Sequence, residues 1–157
     1  MNEIIVEILQ IFVYSMIPSL EARYIVPLLA MHTYGWTWWQ AMPLSILGNM
    51  FLVPFILLFF KRVECYLSQY PRMKRAMEWG FPLIRKRANK RIEKYQELAL
   101  IVFVAIPLPL TGAGLGSLIA YLFNLPIKKS LIMIFIGVII STTITTFFYI
   151  STKQFLF

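Results

Sequence analysis

Four apolar tracts dominate the chain: Ile4 to Met31, Ala41 to Phe60, Leu98 to Phe123 and Leu131 to Ile150. Each is long enough to reach across roughly 30 Å of hydrocarbon. The first is interrupted at Ile17-Pro18-Ser19-Leu20-Glu21-Ala22-Arg23, where a proline is followed by two ionisable residues deep in apolar sequence. The third is interrupted in the same relative place, at Ile106-Pro107-Leu108-Pro109-Leu110-Thr111-Gly112-Ala113-Gly114-Leu115-Gly116. Proline lacks the N–H that continues a helix, and glycine gains little from being in one. Each interruption is followed by a short apolar arm and a turn, Thr33-Tyr34-Gly35 or Asn124-Leu125-Pro126, and then by an apolar tract suited to a full span.

This order predicts an all-α integral membrane protein with a weak internal repeat. Each half would be a broken, re-entrant helical hairpin plus one transmembrane helix. The first repeat is expected over 1–60, with its hairpin at 3–33 and its span at 40–60; the second over 98–157, with 98–123 and 130–150 in the same roles. Glu3 and Glu7 at the start of the first tract argue against a removable signal peptide.

Charge refines the picture. Of the fifteen Lys and Arg residues, eleven fall between Lys61 and Lys94. The segment 61–97 therefore reads as a basic cytoplasmic loop in an inner, or plasma, membrane, either amphipathic helices lying on the headgroups or a solvated loop that sets the orientation. The net charge of +8 then points to anionic lipid headgroups, not to nucleic acid. If the broken tracts return to the face they came from, Lys128 and Lys129 share the side of the basic loop, and Trp36-Thr37-Trp38-Trp39 lies on the other. If they cross fully, Lys128 and Lys129 fall outside. The charge rule favours re-entry, which brings two hairpin tips toward the midplane from opposite faces. Irregular backbone at that depth has to be buried in protein or line a wet cavity. With 59% hydrophobic residues and a mean hydropathy of +0.72, the chain has little room for an aqueous domain.

Candidate chemistry collects at the tips. A charge at the centre of a membrane helix costs about 3 kcal/mol on insertion scales, so Glu21 and Arg23 need partners or water. Glu21 reads as a proton-binding carboxylate, with burial favouring its neutral form and Arg23 its charged form; Arg23 would hold an anionic head group. The structural alternatives are that Glu21 pairs with Arg23 or with backbone to close the tip, or that both residues sit at an interface because the hairpin is shallow. The second tip offers the Thr111 hydroxyl and glycine-exposed N–H groups at Gly112 and Gly114, near the start of a short helix. Gly112 and Gly116 also fit close helix packing. Asn49 is a cavity candidate or an interhelical contact. His32 reads as an interfacial anchor. Lone Cys65 and lone His32 make neither a disulfide nor a metal site, and no cofactor is expected. Without a Ser/His/Asp set or paired carboxylates, the chain does not read as an enzyme.

Glu21-Ala22-Arg23 followed by Pro27, together with Pro107-Leu108-Pro109-Leu110-Thr111-Gly112-Ala113-Gly114, resembles the two signature stretches of the putative small multidrug export protein family. The resemblance covers nearly the whole chain. That family is distantly similar to the DedA, or SNARE-associated, membrane proteins, whose members are thought to carry two re-entrant hairpins of inverted orientation with charged tips. The resemblance implies membrane transport, with Glu21 and Arg23 as one tip and Pro107, Pro109, Thr111, Gly112 and Gly114 as the other. The second tip departs from DedA in having no arginine. One functional reading is a translocase for an amphiphile with an anionic head, such as a phospholipid or polyprenyl phosphate, with protons as a coupling ion. The others are a proton-coupled exporter of cationic hydrophobic compounds and a non-transporting assembly protein. Two helices per half are few to enclose a path, so a homodimer is a further expectation.

Overall fold

The computed structural model describes residues 2–17, 21–67, 69–70, 90–107 and 112–156. Every regular element among them is helical: α1 (Asn2–Met16), α2 (Glu21–Tyr24), a π-helical segment π1 (Ile25–Thr33), α3 (Trp38–Leu67), α4 (Lys90–Ala105), α5 (Ala113–Leu122) and α6 (Ile127–Leu156). Both halves run in one order: a helix, a break, a short arm and a long helix. The long helices have 30 residues each, about 45 Å at 1.5 Å per residue. Their segments Trp38–Val63 and Ile127–Gln154 are long and apolar enough to cross a membrane.

The outer surface suits lipid. Leu47, Phe51, Phe55, Leu58 and Phe59 on α3 are exposed, as are Ile132, Phe135, Ile144, Phe147 and Phe148 on α6. So broad an apolar belt would be an aggregation liability in water and is ordinary against hydrocarbon.

Both spanning helices exceed the lengths expected from hydropathy, because the helical ladder continues past the point where the sequence turns charged. Lys61, Arg62 and Cys65 lie in the last turns of α3, and Lys90 opens α4. The middle of the basic segment, 71–89, is outside the described residues, as are Pro18 to Leu20 at the first break. Pro43 and Pro54 sit inside α3 without ending it.

Packing follows the same plan in each half. Helix α1 lies along α3 and α4 along α6, while α5 packs on α3 and α2 on α6, so the helix that follows each break leans on the long helix of the other half, and π1 packs mainly on α3 of its own half. The close approaches are made by glycine. A Cβ on Gly48 would stand 2.5 Å from the Phe12 carbonyl oxygen, joining α3 to α1. A Cβ on Gly137 would stand 2.7 Å from Val104 Cβ, joining α6 to α4. One core cluster contains Ala22, Ile46, Val53, Leu100, Val104, Ala113, Ile134 and Val138; another contains Ile11, Ile25, Val26, Ala30 and Ala41.

Both arms end in a left-handed residue, Gly35 at φ +69° and Asn124 at φ +56°. Behind Asn124 the amides of Asn124 and Leu125 donate to Tyr121 and Ala120 at 2.9 and 3.0 Å, a Schellman closure that turns the chain into α6. Behind Gly35 the Trp36 amide donates to Ala30 at 2.8 Å.

Side-chain contacts then fix where the ends lie. Trp36 Nε1 donates to Glu7 Oε2 at 2.8 Å and the Tyr34 hydroxyl donates to Gln10 Oε1, so the end of π1 is beside the first half of α1. Lys129 Nζ donates to Glu97 Oε1 at 2.8 Å, which puts the start of α6 beside α4. The Phe60 and Tyr121 rings are 5.8 Å apart near one end of α3, and His32 Nδ1 is 3.2 Å from the Tyr149 hydroxyl near the far end of α6.

Candidate functional site

Glu21 opens α2 with φ at +43°, a left-handed backbone that costs a non-glycine residue about 1–2 kcal/mol. Its amide donates to the Ile17 carbonyl at 3.0 Å, closing the turn out of α1. Six residues on, Pro27 lies in the first turn of π1, where it supplies no N–H to the ladder behind it. A strained residue, a π register and a proline thus fall within seven positions, a pattern that gathers at functional sites.

Glu21 and Arg23 are 3% and 2% exposed. Arg23 Nη2 donates to Glu21 Oε2 at 2.6 Å, and Arg23 Nη1 donates to the Ile106 carbonyl at 3.2 Å. Gly112 closes the arrangement from the second half. It is the N-cap of α5, and any Cβ built on it would overlap the Glu21 carboxylate. The carboxylate therefore lies against the α-carbon that opens a ten-residue helix, whose first N–H groups have no partner within the helix and whose dipole favours an anion. The guanidinium and the helix terminus flank the same anion.

Of the residues expected from sequence, Glu21, Arg23 and Gly112 come together. Pro107 is half-buried directly after the Arg23 acceptor Ile106, and Gly114 is half-buried in the first turn of α5. Pro109 and Thr111 are outside the described residues. Asn49 is 5% exposed on the inner face of α3. Gly116 packs on Val104, a Cβ there standing 2.6 Å from Val104 Cγ2, so the two glycines of the small-residue pair divide their roles.

Sequence reading missed the Ile106 carbonyl, which no side-chain pattern signals, and four buried hydroxyls. Ser45, Ser141, Thr142 and Thr146 are at most 3% exposed, and their oxygens have no hydrogen-bond partner among the described residues. The available clue was the run of hydroxyls Ser141, Thr142, Thr143, Thr145 and Thr146 inside the last apolar tract, with Thr142 and Thr146 one helical turn apart. Two open grooves lie away from the ion pair. One of about 710 Å³ is lined by Trp36, Trp38, Trp39, Tyr149 and Lys153 among others. Another of about 610 Å³ is lined by Phe55, Phe59, Lys61, Arg62 and Cys65 among others.

A family model described as putative small multi-drug export protein matches residues 21–144, which include every element of the tip-to-tip contact. The chain belongs to that family and, with two apolar helices of spanning length, is a membrane protein. No curated protein and no solved structure gives a significant match to it.

Proposed function

We propose that this family member is a transporter of amphiphiles in which an anionic head group takes the place of Glu21 between Arg23 and the start of α5. The single observation behind this reading is the Glu21 carboxylate itself, held by a guanidinium at 2.6 Å and seated on the Gly112 α-carbon. A cradle that stabilises one anion stabilises another of similar shape, and phosphate oxygens match guanidinium geometry as carboxylate oxygens do. Glu21 then works as a tethered occupant. A proton neutralises it and weakens its hold on Arg23, the head group enters, and loss of the proton restores the ion pair and expels the cargo.

The end contacts support an inverted arrangement of re-entrant hairpins. Glu7 with Trp36 and Glu97 with Lys129 tie each hairpin's two ends together. Phe60 with Tyr121 and His32 with Tyr149 set those ends at opposite extremes of α3 and α6. The ion pair between the tips would then lie near mid-bilayer, and rocking of the halves would open it alternately to each side. The basic segment 61–97 would face the cytoplasm of the plasma membrane, held by anionic lipid.

A second reading draws on the family description. Because Arg23 is already neutralised by Glu21, the guanidinium does not by itself repel a cationic drug, and Glu21 could exchange its bond to Arg23 for one to such a cargo. Proteoliposomes separate the two readings. Movement of a labelled polyprenyl phosphate that is lost in Arg23→Gln, without ethidium transport by the wild type, supports the anionic cargo. Gradient-driven ethidium transport lost in Glu21→Gln supports the cationic one.

A further inference from the structure

Helix hydroxyls in this chain normally satisfy themselves. Ser15, Ser117, Ser130, Thr143 and Thr152 each lie 2.6 to 3.1 Å from the carbonyl oxygen four residues back, the usual outlet for Ser and Thr in an apolar helix. Ser45, Ser141, Thr142 and Thr146 do not, although they are more deeply buried than Thr143 or Thr152. A buried hydroxyl without a partner carries a full desolvation penalty, and four in one small protein call for something polar between them.

The four hydroxyls fall in one stretch of α6 and one position of α3, two helices that pack together. Val138 on α6 and Ile46 on α3 belong to the core cluster that also contains Ala22, between Glu21 and Arg23. Tyr149 on α6 meets His32 at the end of π1, and Ala41 on α3 belongs to the cluster with Ile25, Val26 and Ala30. Ser141, Thr142 and Thr146 fall between Val138 and Tyr149, a rise of about 16 Å along the helix. Ser45 sits between Ala41 and Ile46 on α3, which packs against α6. Beyond Tyr149 lies the groove of Trp36, Trp38, Trp39 and Lys153.

We infer that these four hydroxyls line a narrow hydrated passage that joins the tryptophan-rimmed groove to Glu21 and carries protons to that carboxylate. Water is the occupant that fits, since it donates and accepts at once and a string of hydroxyls can hold it in single file. The ionisable groups at the inner end are Glu21 and Arg23, and those at the outer end are His32, Tyr149, Lys153 and Glu7, which accepts from Trp36 of the groove. The proton route rests on the proposed role of Glu21; the hydration does not.

The test uses full-length protein with Cys65→Ser. Ser45→Cys, Thr142→Cys and Thr146→Cys are exposed in proteoliposomes to a small charged methanethiosulfonate, with Val138→Cys as the dry control. Labelling of the three, fastest at Thr146→Cys, and none at the control is expected. Thr142→Val combined with Thr146→Val keeps shape and removes both hydroxyls. It is expected to slow gradient-driven transport about tenfold while sparing exchange without a gradient. Inert cysteines, with a valine variant that melts higher than wild type, would mean a dry seam and overturn the inference. Labelled cysteines with normal gradient-driven transport in the valine variant, while Glu21→Gln is inactive, would overturn the proton route. Normal transport by Glu21→Gln with labelling intact would instead sink the role given to Glu21 and leave the passage hydrated.

Discussion

The carboxylate of Glu21 occupies the volume that any side chain on Gly112 would need. Two residues 91 positions apart in sequence thus share one site, and the tips of the two halves are held together through it. Gly112→Ala should push the carboxylate off Arg23 and abolish transport, with a stability loss of about 1–3 kcal/mol from overpacking. In a Glu21→Ala background the methyl has room, so the same substitution should cost less there. A thermal-melt double-mutant cycle in detergent checks this; equal costs in both backgrounds would show that the two residues are not coupled.

The ion pair is buried on both sides, with side chains 3% and 4% exposed. Removing one partner of such a pair typically costs about 3–5 kcal/mol. The two deletions should differ, because a carboxyl left alone can bind a proton and become neutral, whereas a guanidinium cannot lose its charge. Glu21→Gln is therefore expected to lower the melting temperature more than Arg23→Gln at neutral pH. The opposite order would indicate that Arg23 has other strong acceptors ready to take over.

How far these relationships were legible follows from the kind of signal each carries. Pro107, Gly112 and the charges at Glu21 and Arg23 mark the breaks because local chemistry forbids an ordinary apolar helix there. Gly35 and Asn124 mark the turns for the same local reason. Pro43 and Pro54 carry the same local signal, yet α3 runs through both, since neighbouring helices can support a ladder that proline weakens. The pairing of Glu21 with Gly112, the Ile106 acceptor and the inner position of Ser45 depend on which helices meet, which no single segment encodes.

Val104 takes the pressure of two glycines, Gly116 on α5 and Gly137 on α6. Gly137→Ala should destabilise the protein by about 1–3 kcal/mol, because the new methyl meets the Val104 Cβ at 2.7 Å and the Ile101 carbonyl oxygen at 3.1 Å. Val104→Gly in the same chain removes the Cβ that the methyl meets, so Gly137→Ala should cost less in a Val104→Gly background. Melting temperatures of the single and double variants decide it.

The membrane orientation of the hairpins can be read with single cysteines. Cys65 is exposed near the end of α3, and Lys128 is exposed at the start of α6. If α4 and α5 together dip in and return, both positions face the same compartment; if they cross fully, the two are separated by the bilayer. Thr37, before α3, and Gln154, near the end of α6, should then lie together on the opposite side, beside Trp38 and Trp39. An impermeant maleimide applied to intact cells should miss Cys65, and in a Cys65→Ser chain should miss Lys128→Cys while labelling Thr37→Cys and Gln154→Cys. Labelling of Lys128→Cys from outside would remove the re-entrant geometry. With it would go the argument that the Glu21–Arg23 pair lies where two inverted halves pivot.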